Sequence, residues 1–443
     1  MASTYLSRTP SSAGNTSVWT ASFWMKCSSF TNQDIFNAGT AGTNHGLIFL
    51  NANQQLEVKH YSSSAFQYQL VTNRRFRDCN AWYHIVVTYN DLESTSSDRI
   101  KIYVNGVQET SFATANYPSL NFNSKYNETI LHTIGRGIES GTSSTYRYFD
   151  GSMSHFNFID GTAYAASTFG ETDSTTGQWK INTNPSVTYG TNGFFILKDG
   201  NSVTDQSGNS NNWTVGGGTL TKTEDCPSNV FATLNPLHSG SITFSNGNNT
   251  QGNTSSTGQN ALSTLGAVSG KFYAEVKCTA VGSNGTNVGF VNLSKSNLMN
   301  QSITPGQDNF SAGLYSNGGP IYYSSETTFA TVGSTSNGDI IQLAMDLDNG
   351  YLYWGRNGTY LNSGDPTSGS TGTGGLATSN LGDGHIGFGM WQRNSATASW
   401  NFGNGYFGTT AVSSAGTNAS GNGIFEYDVP TGFTALSTKG LNE

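Results

Sequence analysis

The chain has 443 residues, 54 of them Gly, with 12% aromatic and 11% charged residues and a formal net charge of -8. That length suffices for two or three domains with real cores and excludes a single small disulfide scaffold, while the aromatic content excludes a disordered chain. The acidic balance supplies no field for a phosphate backbone, so nucleic acid is not an expected partner, and no run of about 18 apolar residues suggests membrane insertion. Few Glu, Lys and Ala runs leave little material for helices. Aromatic, Val, Ile and Thr residues punctuated by Asn-Gly and Asp-Gly favour strands and tight turns, so the expected fold class is all-β. The segment MASTYLSRTPSSAG has no charged stretch followed by an apolar one, and no export signal is expected. Cys27, Cys79, Cys226 and Cys278 form no CxxC pair and are expected to be free, partly buried thiols.

In chain order, Ser17 to Cys27, Gly46 to Leu50, Trp82 to Tyr89 and Ile100 to Phe112 alternate or cluster apolar residues at strand length. Asn105-Gly106 predicts a type I′ hairpin, because both central residues of that turn need positive φ. Tyr148 to Tyr164 predicts a further strand bounded by Asp150-Gly151 and Asp160-Gly161. Between Trp213 and about Leu237, three consecutive glycines and two prolines break the pattern. The expected division is therefore a first β-sandwich over 1–213, a linker over 214–237 and a second β-sandwich over 238–443.

The second series runs through Gly270 to Cys278, Val288 to Leu293, Ile340 to Gly358, His385 to Trp391 and Ala398 to Phe402. Asn349-Gly350 predicts a hairpin with Leu343, Met345 and Leu347 on one arm and Leu352 and Trp354 on the other. Its apolar face requires a second sheet. The polar stretches Ser245 to Gln259 and Asn362 to Gly375 are expected to be surface loops.

These residues carry a resemblance. Ala81 to Asp91, Arg99 to Gln108, Ile134 to Arg136 and Phe149 to Gly161 follow the strand order of the laminin-G-like or concanavalin-A-like jelly-roll family, which the first half resembles. The second half looks like a SPRY-type domain through Gly270 to Val276, Asn337 to Gly358 and Trp400 to Asn404. The tandem, with Tyr5 to Asn15, Thr168 to Ile181 and Tyr427 to Glu443, is similar to virion proteins of tailed bacteriophages, particularly those of marine cyanobacterial and related hosts. The resemblance implies two tandem jelly-roll domains in a virion appendage of tail- or head-fibre type. Its implied role is adhesion to a host-surface glycan or envelope component without catalysis, through contacts that include other virion proteins. Such a protein is assembled in the host cytoplasm, exposed on the virion surface, and homo-oligomeric or multiply displayed. The alternative it leaves open is a capsid or tail decoration protein that stabilises the particle or docks other virion proteins.

The chemistry-bearing residues are sparse. Glycoside hydrolysis needs two carboxylates flanking one bond; Glu171 and Asp173 lack the third acid of an ExDxxE pattern, where Thr176 stands. Gly403, Gly405 and Gly408 satisfy GxGxxG, yet no helical period follows, so they are expected in turns. Asp346 to Gly350 lacks the twelfth-position acid of a calcium loop, where Asn357 stands. Asp150, Asp160, Asp199 and Asp205 are expected to cap turns; no cofactor is expected, and calcium is not supported by spacing. His84 is expected to be a strand residue, and Trp24, Trp82 and Trp354 core residues. A glycan site needs aromatic platforms flanked by neutral hydrogen-bonding side chains. The loop candidates are Tyr315, Tyr322, Tyr323, Trp391, Gln392 and Asn394.

Overall fold

The computed structural model describes residues 3–40, 44–138, 147–198, 200, 202–238, 241–283, 285–298 and 303–442. The chain divides into two compact units, Met1–Lys222 and Thr223–Glu443. Among the described residues the helical segments are short 3-10 turns and the rest of the regular structure is strand. The fold is all-β, two sandwiches in tandem.

In the first unit an eight-stranded sheet runs Phe112–Asn116, Ala65–Arg75, Gln55–Ser62, Asn44–Leu50, Gln33–Thr40, His132–Ile134, Tyr5–Arg8 and Thr214–Gly217. A six-stranded sheet runs Phe194–Ile196, Gly151–Asp160, Val18–Cys27, Tyr83–Asn90, Ile100–Val104 and Val107–Gln108. Alternation places Phe36, Ile48, Val58 and Leu70 of one sheet against Trp19, Phe23, Ile85, Ile102 and Phe156 of the other, in one buried core. The Asn105-Gly106 turn has φ of 48° and 80° and joins Val104 to Val107 as a two-residue hairpin. Its second arm is short: Phe112–Asn116 crosses to the edge of the other sheet. The Gly170–Thr172 and Trp179–Ile181 hairpin lies over the six-stranded sheet. A Cβ on Gly106 would come within 2.3 Å of the Trp179 ring.

The expected linker 214–237 is not a free connector. Thr214–Gly217 pairs with Tyr5–Arg8 as a sheet strand, and Gly216 and Gly217 lack the side chains that would strike the Tyr5 ring. Beyond the division, Phe231, Ala232 and Leu234 are buried in the second unit, with Ala232 N donating to Leu436 O. Glycines suggested a linker, but here they serve close packing.

The second unit pairs two sheets. The larger one runs Thr243–Ser245, Thr250–Asn253, Ala396–Asn401, Lys271–Ala280, Ile340–Asp346, Tyr351–Arg356 and Thr359–Tyr360, with Leu376–Ala377 and Thr434–Ala435 attached. The other runs Gln259–Leu262, Ile386–Gln392, Thr286–Asn292, Ser311–Tyr315, Pro320–Tyr323 and Thr327–Thr331. Leu343 faces Trp354 and Met345 faces Leu352 across the expected hairpin, and Phe290 meets Trp354 edge-on at 4.9 Å. The Ser245 to Gln259 stretch is not a surface loop: Thr250–Asn253 pairs with Ala396–Asn401, and Gln251 and Asn253 are buried. Asn and Gln can be buried where the ladder and neighbouring carbonyls satisfy them, and composition alone does not reveal that.

Candidate functional site

The six candidate residues are dispersed by the pleat. Trp391 and Gln392 lie in the strand Ile386–Gln392, not in a loop, and are 4% and 0% exposed. Ile386, Phe388 and Met390 face the core, so Gln392 points inward and Trp391 outward. The Trp391 indole sits on Gly258, where a Cβ would come within 2.0 Å, and the Arg393 guanidinium lies 5.1 Å from its ring. Neither polar atom of the Gln392 amide has a hydrogen-bond partner. Tyr323 packs on the core beside Ile321, whereas Tyr322 faces outward opposite Gly313. Asn394, half-buried at φ 53°, forms the turn before Ala396 and donates Nδ2 to Ser283 O at 2.9 Å.

Register does bring Trp391, Asn287 and Tyr315 into one outward-facing row. That row is partly roofed. Asn287 donates Nδ2 to Pro305 O at 3.0 Å, and Leu298 and Ile303 pack on Leu262 and Val291 of the same face.

A more open aromatic surface lies in the first unit and was missed from sequence. On Gln55–Ser62 the residues Glu57, Lys59 and Tyr61 share the face turned away from the core. Across the pairing, Tyr61 meets Phe66 and Lys59 meets Gln69. Phe66 is 46% exposed and edge-on to the half-buried Tyr61 at 5.5 Å, and the opposite side of Tyr61 stacks on His45 at 5.7 Å. The Lys59 ammonium lies 4.3 Å from the Phe49 ring and 5.0 Å from that of Phe66. Glu57 accepts from Gln69 Nε2 at 2.6 Å and pairs with Lys59 at 3.3 Å, so the ledge is neutral overall. The arrangement offers ring faces beside amides and hydroxyls. The detectable signal was HYSSSAFQYQ, aromatics on both sides of a serine turn.

His84 and Asp173, two residues whose chemistry the sequence singled out, are each held by neighbours. Trp179 Nε1 donates to His84 Nδ1 at 3.0 Å, and an indole only donates, so the imidazole proton is on Nε2 and is given to Ser22 Oγ at 2.9 Å. That ring has no lone pair left to take the serine proton, and burial pushes its pKa down to about 3. Asp173 is bound by Lys180 Nζ at 2.9 Å and by the Thr175 and Thr176 amides. The bond from Lys180 holds its carboxyl well below the usual range, the opposite of what a general acid requires. Its neighbour Glu171 is exposed and 3.8 Å from the same ammonium.

Asp160 accepts from Asn15 N, Asn192 N and Asn127 Nδ2, and Asp205 from Phe195 N, Ser207 N and Asn211 N, so both cap loops. Asp150 is raised by burial, and Asp199 lies outside the described residues. Among the described residues no three His, Cys, Asp or Glu side chains converge as a metal site would need. Gly403, Gly405 and Gly408 occupy turns at φ 118°, 81° and 67° around a small hairpin, with no helix to receive a pyrophosphate.

Residues 2–167 match the family described as the concanavalin A-like lectin/glucanases superfamily, Laminin_G_3. No curated protein matches the chain. Among solved structures, the SPRY domain of human HERC1 is similar at 15% identity, covering 38% of this chain and 96% of that one, with a TM-score of 0.31. A human SPRY domain is similar at 14% identity, covering 37% and 95%, with a TM-score of 0.28. A heptameric SAP-like pentraxin from Limulus polyphemus is similar at 13% identity, covering 50% and 91%, with a TM-score of 0.31.

Proposed function

We propose that this chain is a non-catalytic adhesion protein that binds a surface glycan through the Tyr61 and Phe66 ledge of its first unit. The observation that carries this reading is the exposed Phe66 ring beside Tyr61, with Gln67 next to it in the chain and Gln69 on the same outward face. A sugar offers CH faces to such rings and hydroxyls to such amides, and a neutral surface avoids desolvating charge. The match of residues 2–167 to a lectin-like family supports the same reading. The resemblance of the tandem to tailed-phage virion proteins extends it: the protein is an appendage of tail- or head-fibre type, assembled in the host cytoplasm and displayed in several copies on the virion. Repetition compensates for a shallow site. No cofactor takes part.

The test is a glycan array probed with the intact protein and with Phe66→Ala and Tyr61→Ala. Loss of one or two stacking contacts lowers affinity by about ten-fold. Unchanged binding by both variants, or no glycan bound at all, overturns the reading. Gold labelling of intact particles tests the placement: projecting label supports an adhesin, while label lying flat on a symmetric lattice favours the decoration role instead.

A further inference from the structure

The strand Ala65–Arg75 carries the aromatic ledge at one end and an arginine cluster at the other. Arg75 pairs with Gln55, which shares its face with Glu57, Lys59 and Tyr61, so Arg75 stands on the same side of the sheet as Phe66. Phe76 turns inward: it is fully buried, edge-on to Tyr83 at 5.0 Å, and its N donates to Gln54 O at 2.8 Å. Its neighbours Arg75 and Arg77 are therefore both thrown outward, and both are exposed.

Of the three arginines in these four positions, Arg74 is committed to Glu109 at 2.5 Å. Asp78 turns its carboxylate to Asn80 N at 2.9 Å. Among the described residues no carboxylate lies in ion-pair reach of Arg75 or Arg77. In a chain with 20 Lys and Arg in 443 residues and a net charge of -8, these two exposed guanidiniums are a local excess of positive charge, only partly offset by the Asp78 carboxylate beside them. Guanidinium forks match the planar oxygens of carboxylates and the oxygens of sulfate esters.

Resting on the glycan reading above, we infer that the ligand is an acidic polysaccharide. One sugar ring lies on Tyr61 and Phe66, and a carboxylate or sulfate ester farther along the same polymer binds Arg75 and Arg77. The two ends lie opposite Tyr61 and Gln55, six residues apart on the partner strand and so about 20 Å apart at about 3.3 Å per residue, and an extended polymer bridges them where a mono- or disaccharide does not. Between them the outward residues are Gln69 and Val71, and the charge of Lys59 is matched by Glu57. A nucleic acid, with phosphates at every step, would meet guanidiniums without an ion pair at only one end of that path, the Lys59 ammonium at the other being held by Glu57.

The experiment measures binding of the intact protein to alginate fragments of graded length, dextran sulfate and neutral dextran, at low and high salt. The wild type binds at least one acidic polymer more tightly than dextran, more tightly as fragments lengthen, and less tightly as salt rises. Arg75→Ala/Arg77→Ala, with an unchanged melting temperature, loses about ten-fold in acidic-polymer affinity and most of the salt dependence. It keeps whatever affinity the wild type has for dextran. Whether alginate or dextran sulfate suffers the greater loss identifies the anionic group. Full acidic-polymer affinity in the double variant overturns this inference, and so does equal arginine-dependent binding of duplex DNA or anionic vesicles. In either case a loss of glycan binding in Phe66→Ala leaves the broader proposal standing.

Discussion

Glu275 offers a test in which offset and slope separate. It lies on the outer face of Lys271–Ala280, fully buried beneath the chain segment that contains Phe425, Val429 and Phe433. Its carboxylate accepts from Glu426 N and Tyr427 N at 2.9 Å each, from Tyr273 OH at 3.0 Å and from Asn401 Nδ2 at 3.3 Å. Burial outweighs those four donors and raises its pKa from 4.5 to about 7. An acid raised in the folded state binds more protons there than in the unfolded chain. Its contribution is thus fully present below pH 4.5 and is lost as pH rises through about 7. The shift corresponds to about 3 kcal/mol over that window. For a unit of this size, that is about 6 to 12 °C in melting temperature.

Glu275→Gln cannot titrate, and its Nε2 must face one pair of donors, costing about 1 to 3 kcal/mol at every pH. Scanning calorimetry of the intact protein between pH 4.5 and 8 measures both effects, and Leu343→Ala identifies which transition belongs to the second unit. Wild type and Glu275→Gln are expected to differ in the slope of that transition against pH, the variant being flatter. Parallel curves would refute the assignment of a raised carboxyl, whatever the offset.

The first unit should respond to acid in the opposite direction. Burial lowers His60, His84 and His132 from 6.5 to about 4, 3 and 4, so the stability they hold is present above pH 6.5 and is lost as pH falls toward 4. Its calorimetric transition falls with acidification while that of the second unit rises. In the second unit, Gln392→Met removes two buried polar atoms that lack partners and should stabilise by about 1 to 2 kcal/mol in urea unfolding; a loss of similar size contradicts this. Gly106→Ala strains a residue at φ 80° and drives its methyl into Trp179. It should cost about 1 to 3 kcal/mol and shift Trp179 emission to the red, and an unchanged spectrum argues against that packing.

Legibility followed the kind of turn chemistry present. Asn105-Gly106 and the Asp-Gly pairs around Gly151–Asp160 marked their strands because glycine and asparagine accept left-handed φ, and the expected elements are there. The hairpin that carries the aromatic ledge turns on Ser63 and Ser64, at φ 52° and 64°, and serine is a common loop residue with no such signature. The same substitution hid the turn at Asn394 and Ser395, at φ 53° and 61°, and made Trp391 and Gln392 read as loop residues when they end a strand. Burial of an aromatic depends on what covers its face. The Trp391 indole is closed off by Gly258, far away in sequence, whereas Phe66 stays exposed among the described residues.

The acids are consumed by the architecture. An all-β chain with long connections leaves many backbone N–H groups outside any ladder, and each buried one must find an acceptor. Asp160, Asp205 and Glu275 accept two or three such bonds apiece, Asp346 accepts one from Asn349 N and pairs with Lys271, and Asp34 is held by Arg147 Nε at 2.6 Å and Nη2 at 3.2 Å. A carboxylate held this way has little freedom to reach a ligand, so removing it should loosen its loops before it alters binding. The surface that remains is rich in hydroxyl, amide and ring groups, whose chemistry suits stacking and short neutral hydrogen bonds. Against that background, a guanidinium without an ion pair among the described residues, such as Arg75 or Arg77, would carry more selectivity than it would on a densely charged protein, because few neighbouring charges compete for the same anion.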